Sequence, residues 1–461
     1  MFAPLIVLVG WPKELAFSYG FIIPGIVLIG FGFMLWQFSR PYAAASLTLQ
    51  EGGVIVVLSW FSVCLFSALP FILVEKLNFT QALFESISGW TTTGLSVVDV
   101  TTTTHMILLW RSIMQLAGGA GLAIIMLAAI AGPIGPGLLA AEGRSEQLVP
   151  HVLASAKIVI SIYTGYALFG MLAYWLAGMN LFDAISHAFA AVSTGGFSTH
   201  VDSIGYWNSP IIEIITIILM ILGNLNFLTA YLLLHGRIKA VYRNGEVRLL
   251  ATLIPFCAAL IFFFVCVNVY PTLTKCIRVA IFETVTALTT TGFSTTIYSN
   301  WGSIGFLILT VLMLIGGGTC STAGGIKQYR IYVLFKSLLW EIRRPFQPRT
   351  AVIENFIWQG ERKDFINDQQ IRRIALFIFL YLTTYIVGSG IIAMHGYGLK
   401  ESLFEFASAI GTVGLSIGIT NASSPPLVLW TEILGMFLGR LEFFIIFVGI
   451  GKLIRNLYKM L

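Results

Sequence analysis

One short pattern occurs four times along the chain, and that repetition restricts the possible folds more than any other feature. Aligned on a single glycine, "LFESISGWTTTGLS", "ISHAFAAVSTGGFS", "IFETVTALTTTGFS" and "LFEFASAIGTVGLS" end at Ser96, Ser198, Ser294 and Ser416. Each closes Thr-x-Gly-[Leu/Phe]-Ser. The four triplets are Thr92, Thr93, Gly94; Thr194, Gly195, Gly196; Thr290, Thr291, Gly292; and Thr412, Val413, Gly414. Nine residues before each glycine stand Glu85, His187, Glu283 and Glu405. The glycines are 102, 96 and 122 residues apart. A tandem repeat of this kind buries its faces against its own copies.

What fills each repeat is apolar. The 461 residues are 57% hydrophobic and 10% charged, with a mean hydropathy of +0.88. Soluble domains carry about 25% charged residues, so the chain reads as an all-α integral membrane protein. Each unit opens with a long apolar span (52–74, 156–177, 249–270 and 371–394). A half-length amphipathic stretch, the glycine motif, a polar loop and a second long span follow; the second spans start near Met106, Ile211, Ser303 and Leu427. Spanning a bilayer takes roughly 20 apolar residues, so the run 3–11 is too short and the first crossing falls at 17–38. The polar stretch 341–372 is too short for a core of its own.

Charge sets the orientation. Twenty of the 27 Lys and Arg residues lie in alternate connections: 1 between Ser39 and Gln50, 2 in 133–157, 4 in 235–248, 10 in 326–373 and 3 after Gly451. The intervening connections hold five (Lys13, Lys76, Lys275, Arg278, Lys400), and Arg111 and Arg440 lie within apolar spans. By the positive-inside rule the basic connections are cytoplasmic and every glycine motif is outer. The net charge of +6 therefore concerns topology, and no nucleic-acid partner is expected. Five scattered cysteines (Cys64, Cys257, Cys266, Cys276, Cys320) give neither a disulfide framework nor a metal pattern. The N-terminus lacks a signal-peptide charge region and cleavage site.

Non-helical backbone at membrane depth survives only when it is buried in protein or lines water. Four such segments around one axis satisfy that condition together. Glycine permits conformations that aim successive carbonyls at a dehydrated cation, and each half-helix directs its negative end there. The repeats thus predict a pseudo-tetrameric pore of four helix–half-helix–helix units, preceded by an N-terminal membrane helix. Glu85, Glu283 and Glu405, inside the half-helices, are expected to brace the filter from behind.

The second spans align as "QLAGGAG", "MILGNLN", "MLIGGGT" and "MFLGRLE", matching Gly118, Gly223, Gly316 and Gly439, which follow the filter glycines by 24 to 27 residues. At about 1.5 Å per residue these sit roughly 20 Å below the start of the span, under the filter. In the third repeat "GGGTCSTAGG" (316–325) holds too much glycine for a helix, at roughly 1 kcal/mol each. A break into a mobile intramembrane loop is expected, one that obstructs the pore and gates it through Gly316, Gly317, Gly318, Thr319, Ser321, Gly324 and Gly325. It is not a phosphate-binding loop, since it follows no strand and ends Gly-Ile-Lys. Arg440, at the same depth, is read as an electrostatic barrier that also bonds this loop; a structural salt bridge to Glu442 is the alternative. Arg111 is expected to snorkel to the outer surface.

Two other classes bear on these residues. "GLSIG" (414–418) matches a nucleophile elbow, but Ser416 recurs as Ser96, Ser198 and Ser294 and no histidine is placed to pair with it, so no enzyme is expected. An alternating-access cation carrier or symporter would use inverted repeats, whereas these four share one orientation.

The repeat plan, the four Thr-x-Gly-[Leu/Phe]-Ser motifs, "GGGTCSTAGGIK" and "FLGRLE" together resemble the Trk/Ktr/HKT superfamily of potassium transporters. "FESISGWTTTGLS" and "IGYWNSP" are most similar to the TrkH-type subunit, over nearly the whole chain from Leu47. The resemblance implies a K+-translocating homodimer in the cytoplasmic membrane of a prokaryote, with one pore per protomer. Within that superfamily a serine in place of a filter glycine would favour Na+, and since none of the four glycines is so replaced, K+ is expected over Na+. It implies gating by a separate TrkA-type regulator that binds ATP/ADP or NAD(H), with basic stretches such as 336–349 as docking sites. Backbone carbonyls of the four triplets would hold K+, and no covalent cofactor is expected. The unit boundaries expected are 1–46 for the N-terminal segment, then 47–145, 146–245, 246–350 and 351–461 for the repeats. Such chains begin with an extra helical hairpin; here one span and a stub precede the first repeat.

Overall fold

The computed structural model describes residues 1–40, 49–121, 152–348, 355–360 and 362–460. The boundaries expected at 46/47, 145/146 and 350/351, and the basic residues Arg144 and Arg349, lie outside them. The structure is that of a helical membrane protein. Among the described residues five helices are long and apolar enough to cross a bilayer, or seven if two sharply bent pairs each count as one. Two short 3-10 segments, Ala3–Val9 and Pro12–Phe17, lead into the first of them, Tyr19–Ser39.

The first spans of the repeats are Gln50–Leu73, Val152–Leu176, Gly245–Val269 and Asp368–Ala393, close to the sequence reading. The half-helices follow: Phe79–Trp90, Leu181–Val192, Leu273–Leu288 and Leu399–Ile410. Short polar residues start three of them. The side chains of Asn78, Asn180 and Thr272 each accept a backbone N–H from the first turn, satisfying a donor the helix leaves orphaned. Apolar and small residues then let these helices sink into the protein, where the last two turns of each are buried apart from the half-buried Phe189.

The second spans are Pro210–Asn224, Ser303–Ile315, Pro426–Leu441 and, in the first repeat, His105–Ala120. The sequence reading places a break only in the third. In the structure none of the four runs straight on past the level of Gly118, Gly223, Gly316 and Gly439. The second repeat bends by 116° before Phe227–Leu234, and the fourth bends by 100° before Phe443–Asn456. In the first repeat the helix closes on Gly121 at φ +87°. A local cap and a tertiary ion pair account for the bends. Asn226 caps the helix after the second break, and Glu442, at φ +58°, is turned onto Arg330 at 2.6 Å.

The four repeats close into a ring. Each second span packs against the half-helix of the following repeat, and that of the fourth returns to the half-helix of the first. One element departs from the all-α expectation: strands Phe356–Gln359 and Arg362–Phe365 pair as an antiparallel hairpin. It packs Ile357 with Val333, Ile366 and Ile374 into a small cluster apart from the main core.

Candidate ion pathway

At the end of every half-helix the backbone turns in the same way. In the first repeat Thr92 N–H bonds Gly89 C=O at 3.1 Å and Thr93 N–H bonds Ser88 C=O at 2.9 Å. The same two bonds recur as Thr194 to Ala191 and Gly195 to Ala190, Thr290 to Ala287 and Thr291 to Thr286, and Thr412 to Ala409 and Val413 to Ser408. This is the Schellman termination, whose left-handed residue is ordinarily glycine. Here it is threonine, at φ +56°, +52°, +53° and +50°. A β-branched residue in that region is an outlier worth about 1–2 kcal/mol, and it is retained four times. Two residues on, Gly94, Gly196, Gly292 and Gly414 also have positive φ, from +73° to +100°.

The glycines are required by closeness as well as conformation. A β-carbon on Gly94 would overlap the carbonyl oxygen of Gly195; on Gly196, that of Thr291; on Gly292, that of Val413; on Gly414, that of Thr93. The contacts run from repeat one to two, three, four and back to one. All four glycines line a single cavity of about 730 Å³. The twelve triplet residues are thus brought together around one centre.

Behind this ring the half-helix residues are fully buried and bonded to the strand that leaves it. Glu85 accepts from Ser96 Oγ and from Val97 N–H at 3.0 Å. Glu283 accepts from Thr295 N–H, Thr295 Oγ1 and Tyr298. Glu405 accepts from Ser416, Ile417 and Thr420. His187, the exception in type, meets Ser198 Oγ at 3.0 Å. Arg111 does not snorkel. It is 2% exposed, its Nε is 2.7 Å from Glu85 Oε1, it donates to Ser198 C=O and Ser96 Oγ, and it stacks on Phe197. The buried carboxylate needs a counter-charge, and the pairing was hidden because the two residues lie 26 apart on different helices. Gln115 was also missed: its amide donates to Gly195 C=O at 2.5 Å and accepts from Phe197 N–H.

On the opposite side of the ring, toward the basic connections, lies the glycine-rich segment. The helix stops at Ile315, Gly316 and Gly325 take φ of +71° and +78°, and the next helix starts at Gln328. Gly324 N–H donates to Thr290 Oγ1 at 2.8 Å, and a β-carbon on Gly324 would overlap Thr412 Oγ1. Thr322 Oγ1 lies 3.1 Å from Thr194 Oγ1 and bonds Gly223 C=O. The loop therefore touches the left-handed threonines of three repeats. Thr92 Oγ1, in the remaining repeat, is buried with no hydrogen-bond partner among the described residues. Gly317 N–H pairs with Gly324 C=O across the loop's neck, Gly318 N–H with Asn224, Thr319 N–H with Glu246, and Ser321 Oγ with Gly318 C=O. Arg440 donates to Thr322 C=O at 2.5 Å and to Gly118 C=O at 2.6 Å. Its expected alternative partner, Glu442, is taken by Arg330.

The glycines aligned below the ring have a role that spacing alone did not reveal. A β-carbon on Gly118, Gly223 or Gly439 would run into the last carbonyls of the half-helices, at Trp90, Val192 and Ile410. They allow the second span to cross directly beneath the half-helix end.

A closed ring of four re-entrant segments, each carried between two membrane helices of one chain, defines a single-chain pseudo-tetrameric pore-loop membrane protein. Residues 20–454 match the family model described as TrkH, cation transport protein. The chain is 35% identical to the Trk system potassium uptake protein TrkH of Escherichia coli, over 92% of its own length and 89% of that protein's. It is 30% identical to an uncharacterized cation transporter of Methanocaldococcus jannaschii, over 92% and 86%. The crystal structure of the potassium transporter TrkH from Vibrio parahaemolyticus superposes with a TM-score of 0.82 at 27% identity, covering 97% of this chain and 93% of that one. The chain belongs to the TrkH family of cation transport proteins.

Proposed function

We propose that this protein takes up K+ across the membrane through the central ring, with the four Thr-x-Gly triplets as its selectivity filter. One observation carries the reading: the cyclic contact of Gly94, Gly196, Gly292 and Gly414 with the carbonyls of the next repeat. Four backbone strands held this tightly can replace the hydration shell of a cation. The half-helices ending just before them add the negative ends of four dipoles. The related proteins named above as potassium uptake proteins support the choice of ion.

The segment 316–325 serves as the gate. It lies against the inner threonines, and Arg440 locks it there while placing a positive charge on the ion's path. The protein works as a transporter rather than an enzyme, in the cytoplasmic membrane of a prokaryote, as a homodimer with one pore per protomer. A cytoplasmic TrkA-type subunit binding ATP/ADP or NAD(H) would move the gate, docking on basic surfaces that include Lys336, Arg343 and Arg344.

The test is planar-bilayer recording of the purified protein with K+ or Na+ as the charge carrier. Discrete conductance steps with K+ favoured are expected. Equal Na+ and K+ currents would overturn the selectivity, and smooth carrier-like turnover without steps would overturn the pore.

A further inference from the structure

Seven residues before the aligned glycines Gly118, Gly223, Gly316 and Gly439, the second spans present Arg111, Thr216, Leu309 and Glu432. All four are buried. In the first repeat this slot holds the cation that pairs with Glu85. In the fourth repeat it holds a second acid, so Glu405 faces Glu432 with Thr420 between them. Both carboxyls are 0% exposed.

Counting protons decides how two acids share that space. Glu405 Oε1 accepts from Ser416 Oγ at 2.6 Å, Thr420 N–H at 3.0 Å and Thr420 Oγ1 at 2.6 Å; Oε2 accepts from Ile417 N–H at 3.1 Å. Four donors converge on Glu405, which is the arrangement of an ionised carboxylate. The Thr420 hydroxyl has one proton, and the shorter contact assigns it to Glu405. Glu432 Oε1 is 3.0 Å from the same hydroxyl oxygen, and Glu432 Oε2 has no partner among the described residues. No cation pairs with Glu432 in that set, and the acid that shares the Thr420 hydroxyl with it is Glu405. An ionised carboxylate so placed would be unsolvated and repelled, and a group in that position neutralises instead. A bound cation between the acids is disfavoured because the Glu405 oxygens already accept four hydrogen bonds.

We propose that Glu432 is a resident, protonated carboxylic acid that donates to Thr420 Oγ1 and thereby positions Glu405 and the filter strand of the fourth repeat. The chain of bonds runs Glu432 O–H to Thr420 Oγ1, then Thr420 O–H to Glu405. Thr420 and Ser416 both line the cavity above the ring, so the relay fixes the strand directly after Gly414. The positioning role rests on the filter reading; the protonation does not.

Infrared difference spectra of the purified full-length protein, wild type against Glu432→Gln, test the protonation directly. A carboxylic-acid C=O band, shifted by deuterium exchange, is expected to be lost in the variant. Its absence from the difference spectrum would overturn the proposal, because Glu432 would then be ionised. Flux measurements test the positioning. Glu432→Gln, which keeps a donor, should hold the K+/Na+ ratio within about twofold of wild type, while Glu432→Ala, with the buried hydrogen bond lost, should lower it about fivefold. Equal damage in the two variants would show that a donated hydrogen bond is not what the site needs and would sink the relay. If wild type itself shows no K+ preference, the filter reading fails, and the infrared band still decides the protonation alone.

Discussion

Replacing Gly292 by serine attacks the ring where its tolerance is smallest. Gly292 has φ +84°, and an L-residue there costs about 1–2 kcal/mol. The new β-carbon would also overlap the Val413 carbonyl oxygen and stand 2.9 Å from Val413 C and from Gly414 Cα. These are backbone atoms, and no rotamer change relieves them. The carbonyl oxygen is the tightest of these contacts, and bringing it out to the roughly 3 Å that a β-carbon requires makes the neighbouring strand retreat by about 1 Å. That displacement is enough to change which ion the oxygens fit. Every 1.4 kcal/mol is tenfold, so the K+/Na+ flux ratio of Gly292→Ser should fall about tenfold, while three intact strands still conduct. The assay is paired K+ and Na+ flux in proteoliposomes, with Gly165→Ser as control, since a β-carbon there meets nothing within 4 Å. A monodisperse Gly292→Ser protein with the wild-type ratio would refute the reasoning.

Arg440→Gln removes charged hydrogen bonds to Thr322 and Gly118, each worth about 1.5–3 kcal/mol; basal K+ flux without any partner protein should rise at least about tenfold. Thr322→Val loses the hydroxyl's contacts with Gly223 C=O and Thr194 Oγ1 and should raise basal flux by about fivefold, less than Arg440→Gln. Arg111→Met leaves Glu85 as an uncompensated buried charge, costing about 3–5 kcal/mol. Thermal unfolding in detergent should show a clearly lowered midpoint, and the double variant with Glu85→Gln should recover most of it.

Most of the architecture was readable from the residues because the repeat supplied its own alignment. A single Thr-x-Gly is uninformative, yet four at one register place four half-helices. The helix stop at Gly316 followed from glycine's cost. Features that depend on contacts between distant segments were not readable. Arg111 looks like a snorkelling residue until Glu85 is found beside it. Gln115 lies on an ordinary helical face and reveals nothing of its grip on Gly195. The breaks of the second and fourth repeats escaped because Asn224 and Glu442 act through tertiary partners, whereas local propensity sees only an apolar run around the Asn226 cap. The hairpin at 356–365 is short and its core is borrowed from neighbouring helices, so composition alone discounts it.

The loop 316–325 comes from one quarter of the ring and lies against the left-handed threonines of three. A true homotetramer would have to grow that insertion from all four subunits at once, and four copies cannot share one axis. Fusing the quarters into a single polypeptide lifts that restriction. One quarter is free to supply the loop, another Arg440, and the remaining two the Gly118, Gly223 and Asn224 groups that meet them. The asymmetry is thus a benefit of covalent linkage: the ring keeps its near-fourfold shape while the segments beneath it differ.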